Sequence, residues 1–155
     1  MSSVDDRIAF LTVPGLGRGA FATLADAVLR ALQRAVTRAW VDAVTDGDWR
    51  PEQQPDLDRL ARLETDQLMA GTRRRRTGMG IDIDLRRENE LALLARLAPF
   101  TIHAEGWARD ASVFSFDDCG DGAWCALTPA EAEQIAGRLR AHGLEFEALL
   151  EPDVG

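Results

Sequence analysis

The apolar positions in the first half of the chain recur every three or four residues, which is typical of a helix with one buried face. Between residues 19 and 45 these positions are Phe21, Leu24, Val28, Leu32, Ala35, Ala39, Trp40 and Val44. The spacing predicts one helix of about 25 residues, ended by Asp46-Gly47. A second helix is predicted over residues 57–69, and the two would pack together as a helical hairpin.

The pattern of the second half switches repeatedly between a period of two and a helical period, which predicts short strands and helices in turn. The predicted strands are residues 81–85, 100–107, 113–116, 123–127 and 144–150, and the predicted helices are 91–97 and 129–142. Thr128 and Glu131 form a capping box at the start of the second helix. The order β-α-β-β-β-α-β predicts an α+β fold, in which an N-terminal helical hairpin is followed by a small antiparallel-sheet domain with helices on one face.

Four consecutive arginines flanked by glycine and threonine separate these two parts. We therefore expect a helical segment over residues 1–72, an Arg/Gly-rich linker over 73–80 and an acidic α+β domain over 81–151. The net charge changes at this point, since residues 1–77 carry 12 arginines against 11 acids and residues 78–155 carry 6 against 15. An acidic surface of this kind repels a phosphate backbone and attracts a basic partner.

Residues 8–13 fit two structures. Ser3 and Asp6 resemble a capping box, which would begin a short helix over residues 4–11. The same apolar run is partly β-branched and would equally form a strand. Pro14 and Gly15 end either element, so the sequence leaves the choice open.

The composition limits the classes of protein that fit. The chain has 155 residues, of which 46% are hydrophobic and 28% are charged, enough to bury a core. No apolar run approaches the ~20 residues of a membrane span, and the acidic N-terminus does not resemble a signal peptide. We expect a cytoplasmic protein without membrane contact. All 18 basic residues are arginine and there is no tyrosine, which favours a GC-rich bacterial genome.

The stretch VPGLGRGAFATL, residues 13–24, resembles the hairpin of helix-hairpin-helix DNA-binding modules. The matching residues are Val13, Pro14, Gly15, Leu16, Gly17, Ala20 and Leu24. The resemblance implies that the backbone N–H groups of Gly15, Leu16 and Gly17 approach a phosphate at a helix N-terminus, and that Arg18 adds charge. The other basic cluster expected to contact nucleic acid is Arg73, Arg74, Arg75 and Arg76.

Gly15, Gly17 and Ala20 also fit the G-x-G-x-x-A turn of dinucleotide-binding folds. That interpretation requires a strand at residues 8–13 and a second, parallel strand that ends in an acid. The candidate for the second strand is residues 40–44 with Asp42, and the helical pattern runs through it. We do not predict a cofactor.

The remaining chemistry in the sequence is sparse. Asp117–Gly122 resembles a calcium loop but lacks the glutamate that the twelfth position requires, so a hairpin turn is the better interpretation. Cys119, Cys125, His103 and His142 lack the spacing of a zinc site. A nucleophilic pair of Cys119 and His103, with Asp117 or Glu105, is a weak alternative, and no catalytic or metal residue is predicted.

Trp107 and Trp124 fall on neighbouring predicted strands, where we expect core packing, with the stacking of a ligand as the alternative. Taken together, the sequence favours a non-enzymatic protein-interaction or regulatory module. Its helix over residues 19–45 would mediate self-association or bind a protein partner, and its acidic half would face a basic one. The alternative is a nucleic-acid-binding protein that uses the loop at 13–20, and a small enzyme dependent on Cys119 and His103 comes third.

Overall fold

The computed structural model describes residues 6–43 and 49–155, which form seven strands and five helices. The strands are β1 Ile8–Thr12, β2 Arg38–Asp42, β3 Ile81–Ile83, β4 His103–Ala108, β5 Ala111–Asp117, β6 Gly122–Leu127 and β7 Leu150–Pro152. The helices are α1 Arg18–Leu32, α2 Gln54–Met69, α3 Glu88–Leu97, α4 Pro129–Arg140 and the single turn α5 Phe146–Leu149. A turn of 3-10 helix at Pro51–Gln53 precedes α2.

All seven strands form one sheet in the order β3-β2-β4-β5-β6-β1-β7, and each neighbouring pair is antiparallel. The α+β class and the antiparallel sheet are therefore confirmed. The hairpin β5–β6 and the capped helix α4 also form as predicted. The N–H of Glu131 donates to Thr128 Oγ1 over 3.2 Å, and the N–H of Thr128 donates to Glu131 Oε2 over 2.9 Å.

The helices cover one face of the sheet. α1 packs against α3 and α4, and α2 packs against α3 and β3. Their apolar sides meet alternate residues of the strands, and the rings of Phe21 and Phe116 lie 6.0 Å apart, edge to face, at the centre of this layer. The core includes residues from both sides of 73–80, such as Leu29 and Leu94. The segment predicted as helical and the predicted α+β domain thus share one sheet and one core.

The long helix predicted over residues 19–45 is wrong in its second half. α1 ends at Leu32, and residues 38–42 form β2, which pairs with both β3 and β4. Ala39, Val41 and Ala43 are buried at every second position, which is a strand period. Two ladders of backbone hydrogen bonds outweigh the weak helical pattern here. The predicted helix stop at Asp46-Gly47 lies outside the described residues.

The helical hairpin therefore does not form, and α1 offers no apolar face for self-association. Its apolar residues, including Phe21, Leu24, Val28 and Leu32, are at most 2% exposed. They contact this chain's own α3, α4 and sheet, so the surface expected to meet a partner is already used within the fold.

Three further elements differ from their predicted bounds. Residues 8–12 are strand β1, so the helix alternative is wrong over these positions, whereas Ser3 lies outside the described residues. β4 begins only at His103, because the N–H groups of Phe100 and Thr101 still donate to Leu97 O at the end of α3. The strand predicted over residues 144–150 is mostly the turn α5, since Phe146 and Leu149, three residues apart, both point into the core.

Strand β3 forms one edge of the sheet, and the side chain of Gln67 from α2 occupies its free side. Gln67 Nε2 donates to Asp82 O over 2.8 Å, and the N–H of Asp82 donates to Gln67 Oε1 over 3.3 Å. The amide thus continues the hydrogen-bond ladder by one residue. At the opposite edge, β7 contains Pro152, which has no N–H to donate.

Candidate interaction surface

The face of the sheet turned away from the helices is a continuous surface made by one side of every strand, and we call it the open face. Its side chains alternate with the buried ones along β2, β4 and β6. The open face comprises Leu11, Arg38, Trp40, Asp42, Asp82, His103, Glu105, Trp107, Ser115, Asp117, Trp124 and Glu151. Three of the chain's four tryptophans lie on it.

One row of directly opposite residues crosses the whole face. In strand order it reads Asp82, Trp40, Glu105, Ser115, Trp124, Leu11 and Glu151. Directly opposite side chains on one face are close enough to interact. The row therefore places two indoles about 14 Å apart, three strand spacings, with a carboxylate and a small hydroxyl between them.

Trp40 and Trp107 are stacked on neighbouring strands, with ring centroids 6.4 Å apart and planes inclined by 25°. Arg38 Cζ lies 5.1 Å from the centroid of the Trp40 ring, a cation–π distance. Arg38 Nε is also 3.7 Å from Asp82 Oδ1. An indole and a carboxylate on adjacent strands thus hold one guanidinium on this face.

Trp124 lies on β6 and is half-buried, with its ring outside the core. Within residues 6–43 and 49–155 its ring makes no aromatic or cation–π contact. The expected core packing of Trp107 and Trp124 is wrong, because both lie on the open face. They are also not on neighbouring strands, since β5 lies between β4 and β6.

His103 lies at one end of the open face between two carboxylates. Its Nδ1 is 2.5 Å from Asp117 Oδ1 and its Nε2 is 3.6 Å from Glu105 Oε2. Burial lowers the pKa of His103, but the hydrogen bond and charge of Asp117, followed by those of Glu105, outweigh it and raise the pKa above its usual value. Ser115 Oγ donates to the other oxygen of Asp117 over 3.1 Å.

The proposed pair of Cys119 and His103 is not formed in this arrangement, because both ring nitrogens of His103 face carboxylates. Cys119 lies exposed in the turn after β5, where its N–H donates to Thr101 O. Cys125 is buried on the helix side, where burial, with a smaller effect from the charge of Glu131, raises the pKa of the thiol to about 12. A thiol with that pKa is protonated at neutral pH and is a poor nucleophile.

The strand positions of the open face carry five carboxylates, Asp42, Asp82, Glu105, Asp117 and Glu151, against one arginine, Arg38. Some of this charge is held internally, since Asp42 accepts a hydrogen bond from the N–H of Gly80 over 2.5 Å. The net charge of the strand positions on the open face is nevertheless negative. The surface thus combines half-buried indoles with acidic side chains, which is the chemistry that binds organic cations.

The loop at residues 13–17 joins β1 to α1, so a strand stands where the first helix of a helix-hairpin-helix module would be. Gly15 has a φ of +83° and Gly17 is the N-cap of α1, whereas Leu16 packs against the core. Arg18 lies over the ring of Phe100, 5.1 Å from its centroid. The hairpin geometry implied by the resemblance is therefore not formed, and nucleic-acid binding by these residues stays a prediction.

The four consecutive arginines differ in their surroundings. Arg73 Nη2 lies 2.7 Å from Oε2 of the buried Glu64, and Arg73 also donates to the carbonyls of Met79 and Gly80. Arg76 Nη2 donates to Thr65 Oγ1. Arg74 and Arg75 are exposed. Two of the four arginines thus fix residues 73–80 against α2.

The loops at 13–17 and 73–80 lie at the same end of the sheet but beside strands β1 and β3, about 24 Å apart at five strand spacings. Between them are Asp117, Asp118 and Asp121 at the end of the β5–β6 hairpin. A nucleic acid that touched both loops would have to cross these carboxylates, which is electrostatically unfavourable.

The two strands that the dinucleotide-binding alternative requires are not adjacent in the sheet. β1 and β2 do flank α1, but they are separated by β6, β5 and β4, so Asp42 lies far from Gly15 and Gly17, and a dinucleotide site would need adjacent strands. Residues 118–121 are a tight turn, and Asp117 is engaged by His103. No group of three or more His, Cys, Asp or Glu side chains is placed to hold a metal ion within the described ranges 6–43 and 49–155.

Sequence reasoning missed the surface as a whole. Trp40 and Arg38 were assigned to a helix, and Leu11 lay in an undecided segment. The missed signal is the alternation of Arg38, Trp40 and Asp42 with alanine and valine, which has the same period as residues 103–108. Two amphipathic strands with tryptophan and acid on the same side indicate a sheet with one exposed aromatic face.

Comparisons of the chain with protein-family models, with curated proteins and with solved structures found no match. In the part of the chain that the structure describes, no helix has the length and apolar character needed to cross a membrane.

Proposed function

We propose that this protein is a non-enzymatic interaction module whose open face binds a basic segment of a partner protein. The observation that supports this most is the coincidence of three tryptophans and five carboxylates on one sheet face that the described helices do not cover. Indoles supply apolar contact area at low entropic cost, and aromatic residues are enriched at binding surfaces. The carboxylates would select a positively charged partner and speed its approach.

The charge also argues against the most obvious alternative occupant, a second copy of the same face. If two open faces packed together, the five carboxylates and one arginine of one face would meet the same set of charges on the other. Like charges placed against one another in an interface cost free energy. A basic partner removes that repulsion, so we favour binding to another protein over face-to-face self-association.

The proposal is tested by titrating the full-length protein with a synthetic peptide in which arginine and lysine alternate with serine. We expect the fluorescence of the tryptophans to change on binding, because Trp40, Trp107 and Trp124 lie on the open face. We also expect the affinity to fall as salt is raised. A peptide of the same length with glutamate at the charged positions should not bind.

Two variants of equal charge locate the binding site. Glu105→Gln removes a carboxylate from the centre of the open face, whereas Glu133→Gln removes one from the exposed side of α4. We expect Glu105→Gln to weaken peptide binding by about fivefold and Glu133→Gln to leave it nearly unchanged. Equal losses, or salt-sensitive binding of duplex DNA in place of the peptide, would contradict the proposal.

A further inference from the structure

We infer that the open face recognises arginine in particular, and that a guanidinium of the partner stacks on Trp124; this inference rests on the proposed function. The first reason is that the face already holds a guanidinium in this manner. Arg38 lies over Trp40 and beside Asp82, and these two are directly opposite on β2 and β3. The protein's own side chain thus shows the geometry by which an indole and a carboxylate on adjacent strands hold an arginine.

The second reason is that Trp124 is an indole on the same face without an arginine of its own. Its ring carries no cation or aromatic partner within the described residues. Its direct neighbours are Ser115 on β5 and Leu11 on β1, and beyond them lie Glu105 and Glu151. The backbone of each glutamate is two strand spacings, about 10 Å, from that of Trp124. Long side chains at these positions can therefore converge in the space between the strands.

The third reason is the hydrogen-bonding state of Ser115. Its hydroxyl donates to Asp117 Oδ2, so only its lone pairs remain for a ligand. A guanidinium has five N–H donors and no acceptor, and it can stack on an aromatic ring while it donates within its own plane. Ser115 and Glu105 would accept those N–H groups beside the indole.

Lysine fits this surface less well. Its ammonium is a compact and strongly hydrated charge that cannot lie flat on an indole, whereas guanidinium is planar and weakly hydrated. The residue directly opposite Trp124 on β5 is the small Ser115. We therefore expect the two cations to be distinguished at Trp124 even when the total charge of the partner is the same.

The experiment compares two ten-residue peptides, one of alternating arginine and serine and one of alternating lysine and serine, each titrated into the full-length protein. We expect the arginine peptide to bind about fivefold more tightly. Trp124→Leu should remove most of this preference. Trp49→Phe is the matched control, because Trp49 packs near Phe100 away from the open face, and it should leave the preference intact.

Ser115→Arg provides a second variant that keeps Trp124 in place. The new side chain would be directly opposite Trp124. It should lie over the indole and abolish the preference for the arginine peptide. Equal affinities for the two peptides in the unaltered protein, or an unchanged preference in both Trp124→Leu and Ser115→Arg, would overturn the inference and leave the proposed function standing. Failure of both peptides to bind would overturn the proposed function itself.

Discussion

The two faces of the sheet use aromatic residues in opposite ways. On the covered face, Phe114 and Phe116 are at most 1% exposed and their rings lie 5.0 Å apart within the core. On the open face, Trp40, Trp107 and Trp124 remain partly accessible and are interleaved with carboxylates. The first arrangement buries apolar area, which stabilises the fold. The second leaves apolar area and charge available, which is a property of surfaces that bind.

Truncating one aromatic residue on each face measures this difference directly. We expect Phe114→Ala to lower the free energy of unfolding by about 3–5 kcal/mol, because it removes a fully buried ring. Trp124→Ala should cost less than about 1 kcal/mol, the contribution of a cross-strand pair. Urea unfolding followed by circular dichroism checks both values. Equal losses would mean that Trp124 belongs to the core and that the two faces do not differ.

The two cysteines test the same contrast without altering the fold. Cys125 is buried under the helices with a pKa raised to about 12, whereas Cys119 is exposed in the β5–β6 turn. In the native protein at pH 8 we expect a thiol reagent to label Cys125 more slowly than Cys119 by a factor on the order of a thousand. Mass spectrometry of digested samples gives the two rates. Comparable rates would show that the covered face opens readily.

Gly106 tests how tightly the covered face is packed. It is directly opposite Phe114, and a Cβ added at Gly106 would lie 2.1 Å from Phe114 Cε1. We expect Gly106→Ala to destabilise the protein by about 1–3 kcal/mol because the ring has no space to move. Gly137→Ala on α4 is the control, since its Cβ meets nothing within 4 Å. That variant should be neutral or slightly stabilising, because alanine favours a helix. A neutral Gly106→Ala would mean that this part of the core is loose.

The smallest expected effect concerns His103 on the open face. Because its folded-state pKa is raised, the stability it contributes is complete below its unfolded pKa of about 6.5 and is lost as the pH rises through the folded value. His103 is about one third exposed, so the change should be about 0.5 kcal/mol after screening by solvent. The difference in stability between the unaltered protein and His103→Gln should therefore shrink between pH 5.5 and pH 8.5. A trend of the opposite sign would contradict the assignment of Asp117 as the partner.

The elements best predicted from the sequence were those with strong local signals. Helix α4 has its capping box at Thr128 and the hairpin β5–β6 has its Asp-Gly turn, and both form without help from distant residues. Helix α2 and the order of elements after residue 81 were also predicted. These signals come from residues within a few positions of one another. They can therefore be recognised in a single sequence.

The elements that were missed depend on distant pairing. Residues 35–43 contain alanines that fit both a helical and an alternating pattern, and only pairing with β3 and β4 selects the strand. The same holds for residues 8–12, which pair with β6 and β7 from far along the chain. Because β2 was missed, the row through Trp40, Glu105 and Trp124 could not be assembled.

The capping of β3 by Gln67 has a consequence for how copies of this protein behave at high concentration. An unpaired edge strand is a template on which other chains add strands, and this is how many proteins polymerise into fibrils. At one edge, the Gln67 amide already binds the N–H and C=O of Asp82, which an added strand would otherwise pair with. At the other edge, Pro152 has no N–H to donate. A sheet whose two edges are both poor templates is less prone to add strands from other copies.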